Sequence, residues 1–167
     1  MGTTVKDPEK LPCQLAADEK VTWLSGTEVY ITTTVGQGCV LGVGLATAVS
    51  TEALQAGYGE FKAEARALSA TYAPETVCTD GFRATRLAWQ QLFPRVILIL
   101  CSWHGVLKVR DRCRGELRQQ VLDRVWRCYE AATARQFSQR LRRLHEWAEQ
   151  SRERCRAADG DQTVATG

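Results

Sequence analysis

The sequence predicts an α/β fold: a mixed five-stranded sheet in the order β-β-β-α-β-α-β, followed by an α-helical region. Three observations carry this reading. Three strand-like segments joined by Gly-containing turns open the chain. Two amphipathic helical stretches then alternate with two short apolar strands. Beyond Trp103 the apolar spacing becomes helical and stays so.

Residues 1–10 are polar and read as a disordered leader. Residues 11–18 form the first strand, which runs on past Glu19, with Leu15 and Ala17 on one face. Trp23-Leu24-Ser25-Gly26 signals a turn. In residues 28–35, Val29, Ile31, Thr33 and Val35 alternate with Tyr30, Thr32 and Thr34, a β-branched period-two pattern. Gly36-Gln37-Gly38 closes a hairpin, and residues 39–49 make a third strand in which Gly42 and Gly44 permit close packing.

Ser50 or Thr51 caps a helix whose Leu54, Tyr58, Phe61, Ala65 and Leu68 recur at three- and four-residue spacing. Residues 75–79 form a short strand ending at Asp80-Gly81. A second helix spans 85–93 and stops at Pro94. Residues 95–101 (RVILILC) are an unbroken apolar strand, the pattern of a strand covered on both faces. From Trp103 to about Arg156 the spacing is helical, with a break at Gly115, and residues 157–167 read as a disordered tail. The expected divisions are 1–10 leader, 11–112 catalytic core, 113–156 basic helical insertion and 157–167 tail.

Charge is distributed unevenly. Residues 101–156 hold 14 Lys/Arg against 7 Asp/Glu, whereas residues 1–100 hold 8 against 10. A polyanion such as nucleic acid fits the C-terminal side, and an Arg-rich solvated helix face is the plain alternative. Seven cysteines are widely spaced and form no CxxC pair, which argues against a zinc knuckle or a thioredoxin-like motif. No signal peptide and no bilayer-length apolar run is present. A reducing, intracellular compartment is expected, without membrane partners.

Right-handed crossovers place the fourth strand beside the first, so that Asp18 and Asp80 lie side by side. This is the RNase H-like arrangement. Asp18 stands in an apolar strand (Leu15-Ala16-Ala17-Asp18), where a carboxylate benefits from a cation. Asp80 stands where a strand opens into a Gly-led turn, a position where binding sites gather in α/β sheets. Each acid alone reads equally as a solvent-facing strand residue or a turn residue; their pairing favours metal chemistry. Phosphodiester transfer uses two divalent ions about 4 Å apart to activate the attacking oxygen and stabilise the leaving one. Glu19 points to the opposite strand face and is left out. Cys101 and His104 follow the fifth strand; no second pair completes a tetrahedral zinc site, so a buried Cys and a partly satisfied His are the plainer reading.

The strings LAADEK, GTEVYITTTVGQGCVLGVGL, YAPETVCTDGF and AWQQLFPRVILILCSWHGVLKVRDR resemble transposases of bacterial insertion sequences, closest to the Mutator-like group of DDE enzymes. The resemblance covers about residues 11–150. It rests on a Thr-Asp-Gly step, a Leu-Phe-Pro helix end and a C-x-x-H element in that order. It implies that Asp18 and Asp80 are the first two catalytic, metal-binding acids and that two Mg²⁺ (or Mn²⁺) ions are the cofactors. It also implies cleavage at transposon ends and strand transfer into target DNA, with Cys101 and His104 near the site. Arg135, Arg140, Arg142 and Arg143 in the helical insertion would contact DNA phosphates. A cytoplasmic, bacterial enzyme acting at the nucleoid, and a homo-oligomer, are further expectations. The third acid is expected beyond the insertion, so the chain is read as a fragment that is inactive alone. Two rivals remain: a junction-resolvase-like nuclease, which the Arg-rich extension argues against, and a non-catalytic DNA-binding or self-associating remnant.

Overall fold

A computed structural model of the chain describes residues 7–162, with side chains for 7–152. The chain divides into two compact units, residues 1–101 and 102–167.

The first unit holds strands β1 (Gln14–Leu24), β2 (Thr27–Gly36) and β3 (Cys39–Ala46), helix α1 (Thr51–Leu68), strand β4 (Thr76–Thr79), helix α2 (Arg83–Leu92) and strand β5 (Ile97–Leu100). The order along the chain is the one expected. Ahead of β1, Pro8–Lys10 form a single 3₁₀ turn capped by Asp7, where part of a disordered leader is expected; residues 1–6 lie outside the described residues. Two tight hairpins make the antiparallel part. Ser25 and Gly26 (φ +51° and +79°), then Gln37 and Gly38 (φ +51° and +76°), both occupy left-handed backbone, the conformation whose twist suits a two-residue hairpin. Ser50 Oγ accepts from Ala53 N–H at 3.1 Å and starts α1.

The five strands form one mixed sheet in the order β3-β2-β1-β4-β5. β1 and β2 pair antiparallel, with Asp18 opposite Thr33. β1 and β4 pair parallel through Gln14↔Thr76, Leu15↔Val77 and Ala16↔Cys78, and β4 continues parallel to β5. The core lies under one face. Leu15, Ala17 and Val77 from the sheet pack with Leu54, Tyr58, Phe61 and Ala65 of α1, and with Ala88, Trp89 and Leu92 of α2. Trp89 is its centre: its ring stacks on Phe93 at 5.7 Å and meets Tyr58 at 5.1 Å.

The expectation of a fifth strand covered on both faces does not hold within this unit. The crossover from β3 to β4 and the one from β4 to β5 step across the sheet in the same direction. One handedness therefore sends α1 and α2 to the same side. The opposite face carries exposed Leu45, Ile97 and Ile99, so β5, although apolar throughout, is not covered on both sides. It is an edge strand whose alternate residues face away from the helices.

The second unit comprises α3 (Ser102–Arg112), α4 (Gly115–Tyr129) and α5 (Ala134–Gln162). Gly115, at φ +57°, separates the first two, as its position in the pattern suggests. α3 packs against α4 and α4 against α5. The division between the two compact units falls after Cys101. Val106, Val125 and Cys128 are buried here, while Trp126, Phe137 and Leu141 stay largely exposed. α5 continues to Gln162, past the start of the expected disordered tail at residue 157; residues 163–167 lie outside the described residues.

The contact between β3 and α1 is close enough to test. A Cβ at Gly44 would stand 2.2 Å from the Gly57 carbonyl oxygen, a backbone atom that cannot swing aside. Gly44→Ala is expected to destabilise the sheet unit by about 1–3 kcal/mol, read as a lowered midpoint in urea unfolding. An unchanged midpoint would mean that strand and helix are not in contact there.

Candidate functional site

β1 and β4 carry the two acids. Beyond the last paired residues, Ala16 and Cys78, each chain advances two positions, to Asp18 within β1 and to Asp80 just past the end of β4. Asp18 shares the strand face of Ala16, the one turned away from α1 and α2. Asp18 is exposed in the middle of β1, and Asp80 is half-buried just past β4. β1 and β4 thus carry two aspartates 62 residues apart in sequence toward the same end of their paired segment.

The backbone after β4 is built to turn at Asp80. Its Oδ1 accepts from Phe82 N–H at 2.7 Å, and Gly81 N–H donates to Thr79 Oγ1 at 3.3 Å. Gly81 takes φ +85°, and a Cβ there would stand 2.6 Å from Leu100 Cδ1. One carboxylate oxygen of Asp80 therefore performs the turn role expected of an Asp-Gly step.

Glu19 sits on the other face, as strand alternation requires, and its surroundings are specific. Its Oε1 accepts from Tyr58 Oη at 2.7 Å and from Thr85 Oγ1 at 2.6 Å, tying β1 to α1 and α2 at once. Burial raises its pKa above 4.5; the hydrogen bonds from Thr85 and Tyr58 oppose this, and the nearby charges of Asp80 and Asp18 add to it. Glu19 is thus within electrostatic reach of both aspartates. Burial and the Glu19 carboxylate push the Tyr58 phenol far up, so it stays a proton donor. The alternation of Leu15, Ala17 and Glu19 was a signal for this tie: an acid in the core-facing series needs hydrogen-bond donors beneath it.

Among the described residues, no three His, Cys, Asp or Glu side chains are grouped to hold a metal ion. Mg²⁺ ordinarily takes one or two carboxylates and completes its shell with water and substrate phosphate oxygens. Cys101 ends the first unit, its N–H donating to Thr79 O at 2.7 Å, and His104 lies in the first turn of α3 in the second unit. The burial of Cys78, and then its contact with Cys101, raises the Cys78 thiol pKa.

The four arginines named from the sequence fall on two sides of α5. Arg140 and Arg143 line a pocket with Arg124, Arg127 and Leu144. Arg135 and Arg142, seven residues apart, lie on the other side, and Arg142 Nε is 3.7 Å from Glu146 Oε1 along the helix. Arg124 and Arg127 of α4 were not singled out in the sequence, where nothing marks which turns of α4 and α5 meet.

No protein-family model and no characterised protein matches this chain.

Two predictions follow from the local geometry. Glu19→Gln keeps an oxygen that accepts from both Tyr58 and Thr85 but removes the charge. Because Glu19 has a raised folded-state pKa, its contribution to stability is fully present below pH 4.5 and is lost as pH rises through the folded value. In the metal-free protein the variant should gain stability relative to wild type over that rising window, whereas Glu19→Ala, which strands both hydroxyls, should lose about 1–3 kcal/mol; parallel pH-dependent melts of the three proteins check both signs. Gly81→Ala is expected to cost about 1–2 kcal/mol through its left-handed backbone, read by chemical denaturation.

Proposed function

We propose that this chain is the catalytic-core region of a DDE-type DNA transposase with an RNase H-like sheet, and that Asp18 and Asp80 hold a divalent cation, Mg²⁺ or Mn²⁺. The observation that supports the reading is the parallel register of β1 and β4, which pairs Ala16 with Cys78 two residues before each aspartate. The strand order β3-β2-β1-β4-β5 supports it, as do the motifs shared with insertion-sequence transposases.

A bound divalent ion would supply Lewis-acid stabilisation of phosphate charge and a more acidic attacking hydroxyl. The residues of this chain do the rest. Asp18 and Asp80 bind the ion on a face open to a DNA strand. Gly81 and the Phe82 N–H fix the direction of the Asp80 carboxylate. Glu19, held by Tyr58 and Thr85, fixes β1 against both helices and so fixes the height of Asp18 relative to Asp80. The pair suits one ion; the second of the two expected ions would draw on a further carboxylate.

One observation favours a second reading, a non-catalytic DNA-binding remnant: no third metal-ligating side chain is grouped with the pair among the described residues.

Titration calorimetry with Mn²⁺ separates the two. The transposase-core reading expects Asp18→Asn and Asp80→Asn each to weaken Mn²⁺ binding at least about tenfold, since affinity follows the number of charged ligands. It also expects saturating Mn²⁺, at about 100 times its Kd, to stabilise the wild type by about 2.7 kcal/mol and not the double variant. Mn²⁺ affinity unchanged in both variants, with DNA binding retained, would favour the remnant.

A further inference from the structure

We infer that the second unit contains a discrete binding site for one phosphate group, formed by Arg124 and Arg127 of α4 with Arg140 and Arg143 of α5. These four guanidinium-bearing side chains and Leu144 line a single pocket of about 240 Å³. Among the described residues, no carboxylate lines it and no acid forms an ion pair with any of the four.

Four like charges facing one cleft repel each other, and a chain with no use for the arrangement would intersperse acids, as α5 does with Arg142 and Glu146. The C-terminal end of α4 does not account for the cluster. Arg140 Nη1 donates to the Arg127 carbonyl at 2.5 Å, satisfying one helix-end acceptor, but that helix end amounts to only about half a negative charge. The remaining positive charge faces the pocket.

The arginines are also pre-oriented. The Arg124 guanidinium lies 4.4 Å from the centre of the Trp147 ring, which fixes its plane, and the carbonyl bond fixes Arg140. Arg124 and Arg140 are both half-buried, so their donors are partly shielded from water. Planar guanidinium forks match phosphate oxygens in pairs, which lysines cannot do. The pocket is smaller than the roughly 300–1,000 Å³ clefts that hold drug-sized ligands, so it takes one phosphate group and not a whole nucleotide. A backbone phosphodiester and a free phosphate ion present the same chemistry to it. The site depends on neither Asp18 nor Asp80.

The test uses the full chain with two probes. A fluorescein-labelled 20-base-pair duplex is followed by anisotropy across a salt series, and inorganic pyrophosphate is followed by thermal shift. Arg140→Gln and Arg143→Gln are each expected to weaken duplex binding on the order of tenfold and to reduce the salt slope by about 1. Arg143→Lys should recover only part of the loss, because charge returns without the fork. Arg110→Gln, whose side chain pairs with Asp111 at 2.9 Å, should change affinity less than about twofold.

Duplex binding weakened by the pocket variants identifies a backbone phosphodiester as the ligand. A pyrophosphate shift that the same variants remove, without duplex binding, identifies a free phosphate. Binding of neither probe overturns the site, as does a loss in Arg142→Gln equal to that in Arg143→Gln, which would mark diffuse attraction to a basic helix. Asp18→Asn and Asp80→Asn, checked in parallel, leave both readouts unchanged, so failure of the cation site and failure of this one are told apart.

Discussion

The parallel pairing of β1 with β4 is the constraint on which the rest of the sheet unit depends. Three residue pairs, Gln14↔Thr76, Leu15↔Val77 and Ala16↔Cys78, join the antiparallel half of the sheet to its parallel half. The middle pair is buried under α1 and α2, so the register cannot slip by one residue without exposing Leu15 and Val77 and burying Ala16 and Cys78. Burial of apolar side chains on one face thereby sets where the acids stand on the other. A one-residue slip would also turn Asp18 into the core and Glu19 out of it.

The two faces of β1 divide the work. Glu19 faces inward and spends its carboxylate on two hydroxyl donors from different helices. Asp18 faces outward and is exposed. The adjacent acids of the Asp18-Glu19 step thus have different roles because a strand alternates, and the charge of one is felt by the other through the sheet. The sheet face turned away from α1 and α2 is apolar at β5, where Ile97 and Ile99 are exposed.

Much of this was legible in the sequence, for identifiable reasons. The β-branched alternation of Val29 to Val35, the Gly-containing turns and the Ser50 cap each follow from local rules, and the element order follows from them. The parallel pairing of β1 with β4 required one further rule, crossover handedness. The same rule, applied to both crossovers together, also puts α1 and α2 on a single face, although an apolar RVILILC strand reads as one covered on both sides. Hydrophobicity reports that a strand avoids water, not how many of its faces are covered. The arginine pocket was legible only in part: Arg140 and Arg143 stand out in a basic helix, but their partners Arg124 and Arg127 depend on how α4 meets α5. Helical spacing shows which residues share a face, not which faces meet.

Paramagnetic broadening by Mn²⁺ in ¹H–¹⁵N spectra of the full chain tests the shared-cation geometry most directly. Substoichiometric Mn²⁺ should first broaden the amides of Asp18 and its β2 neighbour Thr33 together with those from Asp80 to Phe82, two stretches far apart in sequence, and replacing either aspartate with asparagine should remove both sets at once. Broadening confined to one stretch, or centred elsewhere in the chain, would contradict a cation shared between β1 and β4.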